Sequence, residues 1–372
     1  MVNIFIAADY CPSKRVAAEI EQGHYETVLG KIKQIEADYK IVNFECTVAS
    51  DDDTPIKKCG PNLKCSPMGV DALAYAGFNC ATLANNHFFD YGQSGVEKTL
   101  AQLKAQNMDF VGGGVNLNEA QETLYKTING ETFAFINCCE HEFSIATEQM
   151  GGSNPLNPIT QWYAITEAKA KAKYVIIIVH GGPELYSLPT PRMVETYRFF
   201  IDAGADAVIN HHQHCISGYE EFHSKPIFYG LGNFCFDLAG KKYTSWNKGY
   251  MVKLLFNNDK VAFELVPYCQ CYSNPSVEPF ERESDVLDFK KRIQSLNETI
   301  ADAQVLAERY GKYLEKGKTY YKTALEPYRS RFMQALYSKG FLPSFLKGER
   351  KYRLLDYLLC ESHYERLVHS VK

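Results

Sequence analysis

Short apolar runs of β type alternate with amphipathic helical patterns over about the first 270 residues. The helical stripes have clear ends, since the one that contains Met193, Tyr197 and Phe200 stops at Gly204. This alternation predicts βαβ units and a layered α/β fold. Two late apolar runs around a polar turn at residues 257–259 predict a hairpin that closes a sheet. The earlier strand-like runs lie at residues 3–8, 41–44, 80–84, 174–179 and 207–209.

Polar side chains with possible chemical roles follow each of these five earlier runs. A single Asp or Asn after a strand is most often a helix cap or a turn residue. Five such strand ends favour a shared site, because ligands bind at the carboxyl ends of strands in open α/β sheets. Five of the ten histidines fall in the last three strand ends. The strand-end residues are Asp9, Glu45, Asn85-Asn86-His87, His180 and Asn210-His211-His212-Gln213-His214.

This mixture of carboxylate, imidazole and amide groups predicts a site for divalent cations such as Mn, Fe, Zn or Mg. One ion needs three or four protein ligands, so the surplus favours two ions about 3.5 to 4 Å apart with a bridging carboxylate. Glu45 is the bridging candidate. His87 is then free to protonate a leaving group or hold an oxyanion, and Asp90 would orient its imidazole. The six candidate ligands are Asp9, Glu45, Asn86, His180, His212 and His214.

Separated motifs occur along the chain in a recognisable order. They are Asp9, Asn43-Phe44-Glu45, Ala84-Asn85-Asn86-His87 with Asp90-Tyr91-Gly92, His180-Gly181-Gly182-Pro183-Glu184, His211-His212-Gln213-His214 and Leu231-Gly232-Asn233-Phe234. As a set they resemble the CapA family of capsule and poly-γ-glutamate synthesis proteins, which is similar in fold to calcineurin-like metallophosphoesterases. The resemblance covers about residues 1 to 270. It implies a four-layer sandwich of two mixed β-sheets flanked by helices.

The resemblance also implies a division of the ligands between two ions. One ion would be held by Asp9, Glu45 and His214, and the other by Glu45, Asn86, His180 and His212. His87 matches the acid position of the phosphoesterase Asn-His motif. The choice among the histidines at residues 211–214 stays open, because both His-x-His and His-x-x-His pairs are present there.

Four further residues are expected to bind substrate: Glu184, His211, Lys58 and Asn233. Glu184 matches the family's acidic residue after the histidine strand and would face substrate or a bound ion. Lys58 lies with Lys57 and Lys64 in the loop after Glu45. That loop is either a solvated segment or a place where an anionic substrate is captured.

Three positions depart from the phosphoesterase pattern. The first strand is followed by Asp9-Tyr10-Cys11, where the pattern has Asp-x-His. We interpret Cys11 as a buried structural cysteine in preference to a metal ligand. Ala8 and Asn210 stand where the pattern has glycine.

Composition narrows the protein class. The chain has 372 residues, 45% hydrophobic and 23% charged, with a net charge of -4. No apolar segment reaches the roughly 18 to 20 residues that a membrane-spanning helix needs, so we expect a globular protein with no transmembrane segment. The opening residues lack the basic region of a signal peptide. Together with twelve cysteines and no Cys-x-x-Cys pair, this predicts a cytoplasmic protein with reduced thiols.

The chain changes character near residue 275. Residues 281–372 carry 18 Lys and Arg against 13 Asp and Glu, and nine of the 25 tyrosines. Val286, Phe289, Ile293 and Leu296 have amphipathic helical spacing. We therefore predict a CapA-like domain at residues 1–275 and a helical, basic, tyrosine-rich extension at residues 276–372. Helix packing or oligomerisation is favoured there over binding of an anionic polymer, and no nucleic-acid partner is expected.

Two functional hypotheses follow. The first is a bacterial binuclear metal-dependent hydrolase that cleaves a phosphoester or an amide-linked anionic substrate in capsule, polyglutamate or other envelope-polymer biosynthesis. The second is a non-catalytic metal-binding component that holds an anionic polymer in a synthesis assembly. The full ligand set favours the first hypothesis, and the missing Asp-x-His histidine favours the second.

Overall fold

The computed structural model describes residues 1–238, 240–241, 243–258 and 260–371. Its strands are β1 Val2–Tyr10, β2 Tyr39–Phe44, β3 Thr47–Val48, β4 Lys64–Cys65, β5 Cys80–Thr82, β6 Asp109–Val111, β7 Gly113–Gly114, β8 Leu124–Ile128, β9 Glu131–Cys139, β10 Gly152–Ser153, β11 Tyr174–His180, β12 Ala207–His211, β13 Tyr219–Phe222, β14 Lys225–Phe228, β15 Asn233–Cys235, β16 Lys248–Asn257, β17 Lys260–Gln270 and β18 Val277–Pro279. Its helices are α1 Lys14–Glu21, α2 Tyr25–Lys33, α3 Met68–Tyr75, α4 Gly92–Ala105, α5 Leu117–Ala120, α6 Pro158–Lys171, α7 Pro191–Asp202, α8 Glu283–Ala301, α9 Ala303–Leu325, α10 Arg331–Ser338, α11 Gly348–Leu359 and α12 Glu361–Val371, with a short 3₁₀ turn at Ser245–Asn247.

Two large mixed sheets form the centre of the molecule. The first has eight strands in the order β18-β17-β16-β1-β2-β5-β6, with β15 paired to β1. The second has six strands in the order β13-β14-β12-β11-β9-β8. The segments β1, β2, β5 and β6 are mutually parallel, and so are β9, β11, β12 and β14. The carboxyl ends of neighbouring parallel strands meet at one edge of each sheet.

The sheets pack face to face through alternate residues of their strands. In β9, Phe133 and Phe135 point into the core that both sheets share, whereas Ala134 and Ile136 belong to the cluster under the outer helices. The ring of Phe256 from the first sheet lies 5.0 Å from that of Phe133, measured between centroids. A period of two therefore divides central strands of the second sheet, such as β9, between two apolar layers.

Helices cover the outer faces of both sheets. Buried residues of α1, α2, α3 and α4 join the cluster that contains β1, β2 and β5. Helices α6 and α7 pack on the second sheet through residues such as Ile165 and Tyr197. The predicted four-layer α/β sandwich of two mixed sheets is confirmed. The late hairpin is present as well, since β16 and β17 pair from Lys248–Cys269 to Asn257–Lys260, although residue 259 of its turn lies outside the described residues.

Helix α7 begins at a side-chain cap. The Thr190 hydroxyl accepts a hydrogen bond from the backbone N–H of Met193 at 3.1 Å, which satisfies a donor that the first turn leaves free. Replacing Thr190 by Ala is expected to lower the free energy of unfolding by about 1 kcal/mol, measured by urea denaturation. Thr190→Ser keeps the hydroxyl and is the matched control. Equal losses in the two variants would show that the cap is not the cause.

The C-terminal part is helical, as predicted. The chain divides into two compact units, residues 1–306 and 307–372. Helix α8 belongs to the first unit, because Phe289 and Ile293 are part of its core and the Asn297 side chain accepts a hydrogen bond from the backbone of Tyr219 at 2.8 Å. The domain boundary at residue 275 stays a prediction. Within the described residues, none of the helices combines the length and the apolar content needed to cross a membrane.

Candidate metal centre

The strand ends bring the six predicted ligands into one buried cluster. Asp9 and Glu45 have no exposed surface, and the three histidines and Asn86 are at most 6% exposed. Among the described residues, three groups of side chains could each hold a metal ion, with ligand atoms within 4.8 Å of one another. The groups are Asp9, Glu45 and His214; Glu45, His180 and His212; and Glu184, His212 and His214.

The first group joins the two sheets. His214 Nδ1 lies 3.5 Å from Asp9 Oδ2, and His214 Nε2 lies 3.7 Å from Glu45 Oε1. A β-bulge near the end of β1 interrupts the register between Ala7 and Asp9. Bulges reorient side chains at sheet ends, and this one lies directly beside the candidate ligand.

The second group centres on His180 at the end of β11. Its Nε2 atom lies 3.0 Å from Asn86 Oδ1, 3.4 Å from Glu45 Oε1 and 3.0 Å from His212 Nδ1. Two imidazole nitrogens, an amide oxygen and a carboxylate oxygen therefore face one another. Borderline divalent cations take this donor set.

Glu45 is common to both groups, and neither of its carboxylate oxygens has a hydrogen-bond partner among the described residues. A buried carboxylate normally requires a partner. Burial, followed by the nearby charge of Asp9, raises the pKa of Glu45 to about 8. A cation would pair with the Glu45 oxygens and offset the negative charges of Glu45 and Asp9. The residues present therefore fit a bound divalent metal.

The neighbouring ionisable groups respond to the same enclosed environment. Burial lowers the pKa of His180 to about 4 and that of His212 well below its ordinary value, which favours neutral imidazoles with a lone pair available to a metal. For His214 burial acts in the same direction, but the Glu45 and Asp9 carboxylates outweigh it and raise the pKa to about 10. Burial alone would raise the pKa of Asp9, yet the hydrogen bond from His214 and the surrounding histidines hold it below its usual range. The cluster therefore combines neutral His180 and His212 imidazoles with an ionised Asp9 carboxylate.

The backbone that carries the paired histidines has an unusual conformation. His212 and His214 have φ angles of +88° and +52°, in the left-handed region that side chains other than glycine rarely adopt. Asn210 stabilises the start of this segment, because its amide donates to the carbonyls of Gly181 and Tyr229 at 2.9 and 3.0 Å. Its side-chain oxygen also accepts a 2.7 Å hydrogen bond from Tyr197 in α7. The Asn that replaces the pattern's glycine thus connects β12 to its surroundings.

Asn43 and Asn233 support the candidate ligands. The Asn43 amide donates to Asp9 Oδ1 at 2.8 Å and lies 3.1 Å from His180 Nδ1. Asn233 Oδ1 lies 2.8 Å from His214 Nδ1. Partners of this kind fix the ring orientation of a metal-binding histidine. The sequence motifs contained both asparagines but did not indicate a supporting role for Asn43, and they suggested substrate binding for Asn233, which stays a prediction for that fully buried side chain.

His87 lies beside the cluster in a buried arrangement with Asp90 and Lys58. His87 Nδ1 is 2.7 Å from Asp90 Oδ2, which fits the orienting role predicted for Asp90. The Lys58 ammonium group makes an ion pair with Asp90 and lies 3.2 Å from His87 Nδ1. The Lys58 side chain is only 2% exposed. Lys58 is therefore enclosed next to the His87 ring, and a role in binding substrate stays a prediction.

Two other predicted substrate residues lie at different depths. His211 is buried, its Nδ1 lies 3.6 Å from Asp9 Oδ1, and neither ring nitrogen has a hydrogen-bond partner among the described residues. Glu184 is exposed and shares a candidate metal group with His212 and His214. Sequence reasoning missed Glu142, whose carboxylate lies 4.0 Å from His212 Nε2. Since Glu142 follows β9 by three residues, its place near a strand end was the available signal.

Cys11 is buried and lies next to Cys46. A hydrogen bond with Cys46 lowers the pKa of its thiol, but burial raises it and the net shift is upward. Cys46 in turn donates to Cys65, with 3.6 Å between the sulfurs. Cys11 belongs to none of the metal-ligand groups found among the described residues. These contacts agree with a structural cysteine.

Relatives of the chain are found among capsule proteins. The capsule biosynthesis protein CapA of Bacillus anthracis is 34% identical over 209 residues, which cover 54% of this chain and 51% of that protein. The PGA biosynthesis protein CapA of Bacillus subtilis is 34% identical over 243 residues, 64% of each chain. This chain therefore spans between half and two thirds of the length of these relatives.

The fold also aligns with solved structures at low identity. A phosphatase from Mycoplasma pneumoniae has a TM-score of 0.42 and 16% identity, over 76% of this chain and 96% of that one. The family described as bacterial capsule synthesis protein PGA_cap matches residues 3–238. That match covers more than half of the sequence and includes every candidate metal ligand, so the chain belongs to the bacterial capsule synthesis protein family PGA_cap.

Proposed function

We propose that this protein is a binuclear metal-dependent hydrolase that acts on an anionic substrate during the synthesis of capsule, polyglutamate or another envelope polymer. The observation that carries the proposal is Glu45, which is common to two candidate ligand groups and whose two buried oxygens have no hydrogen-bond partner among the described residues. The names of the relatives, which refer to capsule and PGA biosynthesis, support the substrate class.

The ligands divide naturally between two positions around Glu45. Asp9 and His214 would hold one divalent ion with it, and Asn86, His180 and His212 the other. Two ions bound there supply Lewis acidity and a water that is activated near neutral pH. Asn43 and Asn233 hold Asp9 and His214 in their orientations. Because the ligands belong to both sheets, the two sheets must pack correctly before the centre is complete.

His87 provides the proton for the leaving group. Its Nδ1 faces Asp90, so the N–H at Nδ1 donates to that carboxylate and Nε2 is left to exchange a proton with the substrate. A second hydrogen bond, from the backbone N–H of Leu63 at 2.6 Å, holds the same Asp90 oxygen in place. This arrangement serves a phosphoester oxygen and an amide nitrogen equally well. The bond that is cleaved therefore depends on how substrate is bound.

Metal analysis combined with a hydrolase screen tests this proposal. The purified chain is loaded separately with Mn, Fe, Zn and Mg, its metal content is measured, and phosphomonoesters, phosphodiesters and γ-glutamyl amides are tested as substrates. We expect about two ions per chain and turnover of at least one substrate class. His87→Ala should retain the metal and lose turnover. A folded protein that binds no divalent ion under any loading condition would exclude the proposed centre.

A non-catalytic, polymer-binding protein is the second candidate. The observation in its favour is Cys11, which occupies the Asp-x-His histidine position and is buried with Cys46. The loss of one ligand weakens the ion position at Asp9. Full metal binding without turnover of any tested substrate, together with binding of polyglutamate, would favour this candidate over the hydrolase.

Asn233 provides a more limited test of the centre. In Asn233→Ala the His214 ring loses the oxygen that lies 2.8 Å from its Nδ1. Loss of such a partner is expected to weaken metal affinity about 10- to 100-fold, measured by competition with a chelator. Asn118→Ala, at an exposed position in α5, is the control. If both variants retain wild-type affinity, Asn233 does not orient a metal ligand.

A further inference from the structure

The C-terminal unit leaves an unusual amount of apolar surface uncovered. Among the described residues, 27 large hydrophobic side chains are exposed, and 15 of them lie between Leu314 and Val371. Helices α10 and α11 contain no buried residue. This concentration of exposed apolar side chains is unusual for a soluble protein and indicates a segment that binds a partner. We define the C-terminal apolar face as Phe332, Phe341, Phe345, Tyr352, Leu355 and Leu359.

Helix α11 illustrates how this face is built. Tyr352, Leu355 and Leu359 recur at i, i+3 and i+7, so they share one side of the helix, and they are 69%, 41% and 76% exposed. Arg350 and Arg353 fall on other sides of the same helix. The periodicity is that of a helix with one apolar side, yet the apolar residues are in water.

Helix α8 provides an internal comparison. It has the same kind of stripe, and Phe289, Ile293, Leu296 and Ile300 are all buried. The two helices therefore differ in what covers the stripe and not in its pattern. The core of residues 1–306 covers α8, whereas within residues 307–371 no described residue covers the exposed side of α11.

The charge of residues 307–372 indicates what kind of partner binds the C-terminal apolar face. Residues 307–372 contain 14 Lys and Arg against seven Asp and Glu, a net charge of +7, whereas residues 1–306 contain 26 against 37. Lys347, Arg350, Lys351 and Arg353 all lie in or next to α11. A basic amphipathic helix with aromatic and leucine side chains on one side is typical of segments that lie in the interface of an anionic bilayer.

We propose that residues 307–371 bind the surface of an anionic lipid bilayer, with the C-terminal apolar face inserted among the lipids and the lysines and arginines at the headgroups. Tyr352 suits this position, since an aromatic ring with a polar hydroxyl favours the membrane–water interface, and Phe332, Phe341 and Phe345 suit the apolar side of such a segment. The acidic remainder of the chain is repelled by the same headgroups. The charge asymmetry therefore selects the C-terminal unit as the part that makes contact.

Other possible partners would complement either the basic residues or the apolar face, but not both. A second copy of this unit would cover the apolar face, yet it would bring together two surfaces of net charge +7. A soluble polyanion such as polyglutamate would pair with the lysines and leave Leu355 and Leu359 in water. An anionic bilayer satisfies both features at once.

Vesicle binding by the full-length protein tests this inference. The protein is centrifuged with vesicles of phosphatidylcholine alone and with vesicles that contain about 30% phosphatidylglycerol. We expect binding only to the anionic vesicles, and at least about a tenfold loss of affinity between roughly 0.05 and 0.5 M NaCl. Binding that ignores lipid charge, or no binding at low salt, would overturn the proposal.

Variants separate the apolar contribution from the basic one. Leu355→Ser with Leu359→Ser should reduce vesicle binding at least about tenfold, whereas Leu287→Ser at an exposed leucine of α8 should not. Replacing Lys347 and Lys351 by Gln should also reduce vesicle binding at least about tenfold, whereas Lys290→Gln with Lys291→Gln in α8, which removes the same two charges from exposed positions, should not. Sedimentation velocity without lipid should show a monomer.

Three results would contradict the membrane assignment. The first is a dimer that dissociates when Leu355 and Leu359 are replaced, which would make a second copy the partner. The second is binding of soluble polyglutamate without binding of anionic vesicles. The third is unchanged vesicle binding by the leucine and the basic variants. Circular dichroism of each variant checks that its helices are retained.

Discussion

Glu45→Gln is expected to abolish cation binding at both ligand groups and to reduce any hydrolysis by about 100-fold or more. In the part of the chain that the structure describes, neither buried Glu45 oxygen has a hydrogen-bond partner, and the residue is common to the groups that contain Asp9 and His180. The amide keeps the size of the side chain but removes the negative charge and one of the acceptor oxygens. Metal content by mass spectrometry and turnover by the best substrate measure the two losses.

In the metal-free protein, Glu45→Gln is expected to increase stability relative to wild type as the pH rises. Because burial and Asp9 raise the pKa of Glu45 from 4.5 to about 8, the folded protein holds a proton there that the unfolded chain has released. This contribution to stability is present below about pH 4.5 and is lost as the pH rises toward 8. Glutamine does not titrate, so the stability of Glu45→Gln relative to wild type should increase over that interval. Urea denaturation in the presence of a chelator measures it.

Glu122→Gln, at an exposed position, serves as the control for both measurements. It should bind metal as the wild type does and show no change in its relative stability with pH. If Glu45→Gln retains both cations and full turnover, Glu45 does not bridge two ions. If the metal-free variant is less stable than wild type near pH 8, the buried carboxylate has a partner that compensates its charge.

Lys58→Met is expected to cost about 3 to 5 kcal/mol in the free energy of unfolding. The ammonium group pairs with Asp90 where both side chains are almost completely enclosed, at 2% and 0% exposure. Methionine fills similar space but leaves the Asp90 carboxylate buried without its cation. Asp90 also contacts His87 and the backbone of Leu63, so the change should disturb His87 and lower turnover about 10- to 100-fold.

Urea denaturation compares this variant with Lys57→Met, whose residue is exposed and adjacent in sequence. The control should lose less than about 0.5 kcal/mol, as is usual for surface substitutions. Adding Asp90→Asn to Lys58→Met should recover part of the lost stability, because the unpaired charge is then removed. Equal stability of Lys58→Met and Lys57→Met would contradict a buried ion pair and would show that Lys58 lies in a solvated loop.

The ligand cluster could be anticipated because strand ends are readable in a sequence. Asp9, Glu45 and His180 each follow an apolar run, and the carboxyl ends of neighbouring parallel strands meet at one edge of a sheet. The structure brings these residues together with His212 and His214. The metal identity, the number of ions and the role of each residue are not determined by that proximity, so they stay predictions until metal is measured.

Other features could not be read in this way, because they depend on contacts between segments far apart in the chain. Lys58 resembled a surface lysine until its contact with Asp90, 32 residues away, enclosed it. Asn43 and Asn233 acquire their positions from Asp9 and His214, which lie on other segments. By composition, helix α8 was predicted to belong to the C-terminal extension, yet its apolar residues pack in the core of residues 1–306.

The sequence by itself determined the layered α/β class, the grouping of six candidate ligands at the strand ends and the amphipathic character of the C-terminal helices. These properties depend on periodicity and on residue type, which are local. Only the tertiary structure decided that Glu45 has no hydrogen-bond partner among the described residues and that Cys11 contacts Cys46. It also decided that the apolar stripe of α8 is buried while that of α11 is exposed. Burial and partnership arise from contacts between distant segments, and no local pattern encodes them.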